Sequence, residues 1–483
     1  MTFNSFGFLI FYPIVLILYF VLPKKFTKYM LLIASYYFYL AWNIKLAGLI
    51  IFTTCVSYFC ARIIEKNESK KVKKWCIVIT LIASLGVLFF FKYYNFVADS
   101  ASFVFGLFTG MQYDWTLNLV LPVGISFYTF QTLSYAIDVY RGNEKCERDF
   151  ITYALYVSFF PQLVAGPIER PGNLIPQLKV KNEFKKENVE LGLQQMAVGF
   201  FKKIVVADLI AEYVNPVFNN ASQTTGFGVM LGSILFAIQI YCDFSGYSDI
   251  AIGCSKIMGI NLMQNFNEPY RARSIKDFWN RWHISLSTWL RDYLYFPLGG
   301  SRCSKPRHMF NIFIVFLASG LWHGANWTFV LWGVFHGVIR ILEELLKPTR
   351  TKLLEKMGIK ENNKGLIIFE TLFTFIIVCF SWIIFRANNI SDLGTLLSKL
   401  FTSFGGFTET LNYMGLSLSA IICTILSIVV MFLFDRILTN KDKVYPTSLM
   451  SKSTIAWSVW AIAIAWMLLL SIGGASTFIY FQF

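Results

Sequence analysis

Runs of apolar residues separated by short basic connections set the rhythm of this chain. The first, residues 7–22, has no basic stretch before it of the kind that opens a cleaved signal peptide, so it reads as a retained span. Lys24, Lys25 and Lys28 follow. Two further runs, 30–42 and 46–64, end at the basic KNESKKVKK, and another apolar pair is expected near 75–91 and 101–108. From residue 119 polar groups enter the apolar runs. Ser126, Tyr128, Gln131, Ser134 and Asp138 share one segment, a pattern suited to hydrogen bonding between packed helices. Breaks at Pro161, Gly166, Pro167 and Pro171 predict a re-entrant or interfacial turn, with Glu169 and Arg170 at the water boundary. Asp243 and Asp249 lie six residues apart in one span, hence on different helix faces, and each is expected to be hydrogen-bonded in place. Toward the C-terminus, 365–385 is a span closed by Arg386, 391–401 is amphipathic and interfacial, and 416–434 and 455–472 cross again.

Between these regions lies the polar centre of the pattern, 271–337, the core stretch of a single multi-pass domain 1–483. It holds all four histidines, His283, His308, His323 and His336. In RARSIKDFWNRWHISLSTWLRDYLYFPLGG, Ser274 and Asp277 have capping-box spacing, so a helix is predicted from Ile275 until Pro297 and the Gly299-Gly300 pair stop it. On that helix Lys276, Asn280, His283, Ser287 and Arg291 form one stripe, and Phe278, Trp282, Leu286, Trp289 and Tyr293 another, which turns His283 away from the apolar face. FLASGLWHGANWTFVLWGVFHG is apolar enough to lie in lipid, yet Gly320, Gly324 and Asn326 bracket His323. Such an ionisable group is expensive at membrane depth unless it faces a cavity or a partner.

Composition sharpens the class. Hydrophobic residues make up 56% of the 483 and charged residues only 15%, against about 25% charged in soluble domains. The chain is an all-α integral membrane protein with room for roughly a dozen spans. The net charge of +15 then reads as the Lys/Arg bias of cytoplasmic loops and not as a nucleic-acid footprint. Loops 65–74, 179–187, 347–364 and 441–452 are placed inside, and both termini outside. None of the nine cysteines has metal-ligand spacing, and no metal or disulfide framework is expected. Phosphate-loop, dinucleotide and nucleophile-elbow patterns are absent.

Imidazole is the base best suited to near-neutral pH. His323 could take the proton of a hydroxyl as that oxygen attacks an acyl donor, with Asn326, Trp327 or backbone N–H groups near Gly324 as donors to the oxyanion. For His283 a surface role competes evenly. His336 is expected to pair locally with Arg340 and Glu343, and His308 to lie in a solvated loop among Arg302, Lys305 and Arg307. The basic groups Lys276, Arg281, Arg291, Arg302, Lys305 and Arg307 could hold anionic lipid head groups or the phosphates of a nucleotide-bearing donor.

DFWNRWHISLSTWLRDYLYFPLGG and SGLWHGANWTFVLWGVFHG closely resemble the membrane-bound O-acyltransferase family. LPVGISFYTFQTLSYAIDVYRG, FFPQLVAGPIER and YCDFSGYSDIAIG resemble its alginate O-acetyltransferase branch, and the resemblance covers nearly the whole chain. It implies a funnel-shaped bundle of spans, re-entrant and amphipathic helices around a transmembrane tunnel, in a bacterial cytoplasmic membrane. It implies transfer of an acyl group from a cytosolic thioester to a hydroxyl, with the WHG histidine, His323, catalytic and the RWHIS histidine, His283, second. It further implies acetyl-CoA as donor substrate with no permanently bound cofactor, Arg281 and Arg291 as donor-binding candidates, and export of acetyl groups to an extracytoplasmic polysaccharide, through an SGNH-type acetyltransferase partner or similar machinery. Tyr480, in the aromatic tail FIYFQF, stands where C-terminal tyrosine segments are acyl-relay candidates in such pathways; interfacial anchoring of the tail is the competing reading. The teichoic-acid D-alanyl branch shares the motifs, so D-alanyl or other acyl transfer stays open. A transporter or flippase of a lipid-linked saccharide is the alternative of another class, although the inverted repeats it would favour are not visible.

Overall fold

The computed structural model describes residues 1–41, 46–111 and 113–439, together with Trp466. The described residues form helices and no strands, as expected of an all-α membrane protein. They divide into two compact units, residues 1–196 with 247–263, and residues 197–246 with the described part of 264–483.

The first unit begins with α1 (Phe6–Val21), α2 (Lys24–Leu40), α3 (Ala47–Lys66) and α4 (Lys70–Leu88). A π turn at Phe89–Tyr93 carries α4 straight into α5 (Tyr94–Thr109), so the two runs expected at 75–91 and 101–108 are one continuous helical stretch. Nothing in the sequence between them breaks a helix: the intervening residues include neither glycine nor proline. The unit continues with α6 (Ile125–Arg141), α7 (Phe150–Ser158), α8 (Phe160–Leu163) and α9 (Pro171–Leu178). Ser126, Tyr128, Gln131 and Ser134 of α6 are buried, with Asp138 only half-buried, and Ser84 of α4 meets Thr132 of α6 at 3.5 Å between the two packed helices. Glu169 departs from its expected place at the water boundary. It is fully buried, where it accepts hydrogen bonds from the Met263 N–H and from Asn173 Nδ2. Those fixed donors offset the cost of taking a carboxylate out of water.

α10 (Lys186–Phe200) and α12 (Gly226–Ile257) contribute to both units. The second unit adds a π turn at Phe201–Ala207, α11 (Asp208–Asn219), α13 (Ile275–Arg281), α14 (Ile284–Leu290), α15 (Lys305–His323), α16 (Trp327–Lys356), α17 (Lys364–Arg386), α18 (Ile390–Thr402), α19 (Phe407–Met414) and α20 (Leu418–Thr439). Side-chain caps fix several starts: Asn363 accepts from Leu366 N and Asn389 from Asp392 N. The π turn brings two buried lysines to acids. Lys202 pairs with Asp435, which also accepts from Tyr241 Oη at 2.6 Å, and Lys203 pairs with Asp243 at 2.6 Å and Asp208 at 2.8 Å. Asp243 is thus held in an ion pair, while Asp249 accepts from Gln195 Nε2 at 3.2 Å in the first unit. α3, the α4–α5 stretch, α12, α17 and α20 are long and apolar enough to cross a membrane. Their outward positions carry exposed large apolar side chains such as Ile82, Phe108, Ile376 and Leu418, the surface expected against lipid.

Candidate active site

The histidine-bearing stretch folds as two breaks facing each other within the second unit. Ser274 caps α13 as its spacing predicts, accepting from Asp277 N at 3.0 Å. The helix does not then run on to Pro297. It stops at Arg281, and His283 adopts a left-handed backbone at φ 43°, ψ 54° before α14 starts. A side chain with a Cβ is strained there by about 1–2 kcal/mol. The break is held from outside: the Ile284 N–H donates to Asn265 O at 2.9 Å, Asn267 N donates to Arg281 O at 3.0 Å, and Ser285 Oγ meets Asn265 Oδ1 at 2.6 Å. A single continuous helix would have pointed His283 away from the apolar face. The break instead buries it completely, 4.7 Å from the Phe244 ring and 5.4 Å from Trp322.

His323 is the last residue of α15. Gly324 is extended and Asn326 caps α16, so α15 and α16 return antiparallel upon each other. Their backbones come into direct contact: a Cβ added at Gly320 would lie 2.3 Å from Phe329 O, and one at Gly333 would lie 2.6 Å from Phe316 O. Small residues at such a crossing permit this approach. It buries His323 (4% exposed) among Trp322, Trp332 and Phe385, with ring centroids at 5.0, 5.0 and 5.3 Å. The rings of His283 and His323 stand 6.5 Å apart, centroid to centroid. His336, one turn after Trp332 on α16, continues the row: its ring is 4.8 Å from Trp332, and its Nδ1 accepts from Trp279 Nε1 at 3.4 Å. Three imidazoles therefore share one aromatic, fully buried cluster.

Residues 148–385, which contain all of this cluster, match the model of MBOAT, the membrane-bound O-acyltransferase family. The probable alginate O-acetylase of Azotobacter vinelandii is 38% identical over 84% of this chain and 79% of its own length. The chain belongs to the membrane-bound O-acyltransferase family. Further relatives in this family are the peptidoglycan O-acetyltransferase of Helicobacter pylori, 36% identical over 76% of this chain and 72% of the relative, and the teichoic acid D-alanyltransferase of Bacillus subtilis, 30% identical over 56% and 70%. As a membrane-bound O-acyltransferase the protein is an enzyme, which sets aside the transporter or flippase alternative.

The remaining candidates are placed less centrally. Asn326 spends its side chain on structure: Oδ1 accepts from Thr328 N at 3.0 Å and Nδ2 donates to Asn388 O at 2.8 Å. Trp327 is 47% exposed at the first position of α16. Arg281 donates to Asp277 Oδ1 at 2.8 Å and to Asn267 O at 3.3 Å, and so helps fasten the His283 break. Arg291 is exposed, donating to Asp292 Oδ1 at 2.9 Å. His308 lies in the first turn of α15 and not in a loop, 6.2 Å from the Tyr295 ring. His336 is not the partner of Arg340, which pairs with Glu344 at 2.8 Å and Glu343 at 3.8 Å, because its face of α16 turns inward. Tyr480 lies outside the described residues. The aromatic walls have one local mark in the sequence, since Trp332 and His336 stand four residues apart, the spacing of one helix face.

Proposed function

We propose that this membrane O-acyltransferase moves an acetyl group from cytosolic acetyl-CoA across the membrane to hydroxyls of an extracytoplasmic polysaccharide. The observation that carries the reading is the buried pair His283 and His323, 6.5 Å apart within an aromatic cluster, in a chain whose relatives are named as alginate and peptidoglycan O-acetylating enzymes. His323, as neutral imidazole, takes the proton of the acceptor hydroxyl while that oxygen attacks the thioester carbonyl. As the tetrahedral intermediate collapses, the C–S bond breaks and the proton passes to the leaving thiolate, so the products are an ester and free CoA. His283 orders the opposite wall of the cluster. Exclusion of water by the surrounding rings favours transfer over thioester hydrolysis.

The test is purified protein in nanodiscs with radiolabelled acetyl-CoA, an SGNH-type acetyltransferase partner and an oligosaccharide acceptor. His323→Ala should lower transfer by ~10²–10⁴, the usual worth of a positioned general base, with a smaller loss for His283→Ala. Full transfer by the His323 variant removes that residue from the mechanism. The D-alanyl reading is supported by the teichoic-acid relatives; an enzyme that accepts only a carrier-bound D-alanyl thioester, and no acetyl-CoA, replaces the acetyl reading with it.

The cytoplasmic membrane is the proposed location, with both termini outside and loops 65–74, 179–187, 347–364 and 441–452 inside, on the Lys/Arg bias. Labelling a cysteine in 347–364 from outside intact cells overturns that topology. We place the onward transfer with an SGNH-type acetyltransferase partner, and Tyr480 as the hydroxyl that receives the acetyl group before passing it on, which splits one difficult transfer into two. Normal polymer acetylation in a Tyr480→Phe strain would make the tail an anchor, and co-purification with no such partner would remove the second half of the relay.

A further inference from the structure

The first unit carries a cavity that the histidine cluster does not use. Lys24, Lys25 and Lys28, at the start of α2, and Lys179 and Lys181, after α9, line one space of about 550 Å³, with Asp149 the acidic group on its wall. That volume is in the range of small-ligand sites. Three of the lysines have partners. Lys28 pairs with Asp149, and Lys179 with Glu147 at 2.5 Å. Lys181 Nζ donates to Phe20 O and Leu22 O, at 2.9 and 2.6 Å, where α1 ends. Lys24 and Lys25 form no ion pair among the described residues, and Lys25 lies 4.9 Å over the Phe26 ring. Their position is unfavourable as it stands. They occupy the first turn of α2, where cations oppose the helix dipole, with no acidic residue in that turn and a Pro23 cap that supplies no side-chain acceptor. An anion held between them reverses the sign of that interaction. A neighbouring space of about 440 Å³ shares Lys181 and adds Lys185 and Lys256, with Glu183 the acidic group on its wall. Beside this basic wall Val21, Phe26 and Tyr29 expose large apolar surfaces, the juxtaposition found at a bilayer's polar boundary.

We infer that this cavity binds a phosphate-bearing anion at the membrane surface. Two sources share the chemistry: the head group of an anionic phospholipid, whose chains would lie along the exposed faces of α1 and α2, and the phosphates of a soluble nucleotide. The inference does not depend on which acyl group the enzyme transfers.

The experiment uses full-length protein in phosphatidylcholine nanodiscs. One arm measures retention of added phosphatidylglycerol by native mass spectrometry, and the other measures binding of adenosine 3′,5′-bisphosphate by calorimetry. K24Q/K25Q removes the two lysines that no acid pairs with, so the fold has no ion pair to lose. K70Q/K71Q removes the same charge from exposed positions at the start of α4, outside the cavity. K24Q/K25Q should weaken binding roughly fivefold per lysine, and K70Q/K71Q should leave it unchanged. A response confined to phosphatidylglycerol assigns the cavity to a lipid head group, one confined to the bisphosphate assigns it to a nucleotide, and a response of both supports the common phosphate site. Equal weakening by the two double variants, or no weakening by K24Q/K25Q in either arm, overturns the inference.

Discussion

Adding one methyl group at Gly320 should slow the enzyme more than it unfolds it. Gly320 lies one turn before His323, and its Cα faces the backbone of α16. A Cβ there would approach Phe329 O to 2.3 Å and Gly333 Cα to 3.0 Å, whereas ordinary contact begins near 3.4 Å. Neither obstacle is the end of a flexible side chain, so α15 and α16 must separate by roughly 1 Å at this level. Overpacking of this kind costs about 1–3 kcal/mol in stability. The same displacement acts on His323, the proposed base, one turn away, where a 1 Å error in a reacting group costs on the order of 10² in rate. Gly320→Ala should therefore lower kcat by about two orders of magnitude while the protein still purifies as a folded species with a modestly lower Tm. Gly394→Ala is the control: no atom lies within 4 Å of its added Cβ, and alanine gains helix propensity there, by about 1 kcal/mol. Transfer rates and thermal unfolding of the two variants decide the matter. A Gly320→Ala enzyme with kcat within twofold of the parent would show that the close crossing does not position His323.

Asn326→Ala should cost about 1 kcal/mol of stability through loss of the α16 cap, read as a lower Tm, with a rate loss well short of that for His323→Ala; a loss as large as the His323 variant's would return Asn326 to the chemistry. Charge reversal at Arg291, which is exposed and pairs with its neighbour Asp292, should raise the KM for acetyl-CoA with little change in kcat if donor phosphates pass it. Arg281→Glu should lower kcat and Tm together, because Arg281 fastens the His283 break; a pure KM effect there would argue for donor contact instead.

Apolar runs mark α1, α3, α17 and α20, and Ser274 marks the start of α13, because those features are local; the expected span 455–472 lies outside the described residues. Ser274 and Asp277 state the cap within four residues, and the apolar runs state the helices. The break at His283 has no such local mark. No glycine or proline stands near it. It is imposed by Asn265 and Asn267, which reach it through the fold. Helical spacing carried through that break turns His283 away from the apolar face, whereas the fold buries it, and Glu169 is buried because its donor Met263, distant in sequence, reaches it only on folding while Asn173 is local. His323 was legible because a glycine-flanked histidine in an apolar run has few inexpensive explanations. Its distance from His283, and the presence of His336 in the same cluster, depend on how α13, α15 and α16 meet.

The buried lysines of the π turn bear on how the protein is made. Lys203 meets its acids, Asp208 and Asp243, soon after it leaves the ribosome. The Asp435 carboxylate that pairs with Lys202 comes much later, on α20. Until α20 is synthesised, the Lys202–Asp435 ion pair, with the Tyr241 hydroxyl that donates to the same carboxylate, cannot form. A chain halted before α20 should therefore be less stably inserted and turned over faster than its length alone would suggest. Arrival of Asp435 then acts as a late checkpoint on assembly, one that a truncated product cannot pass.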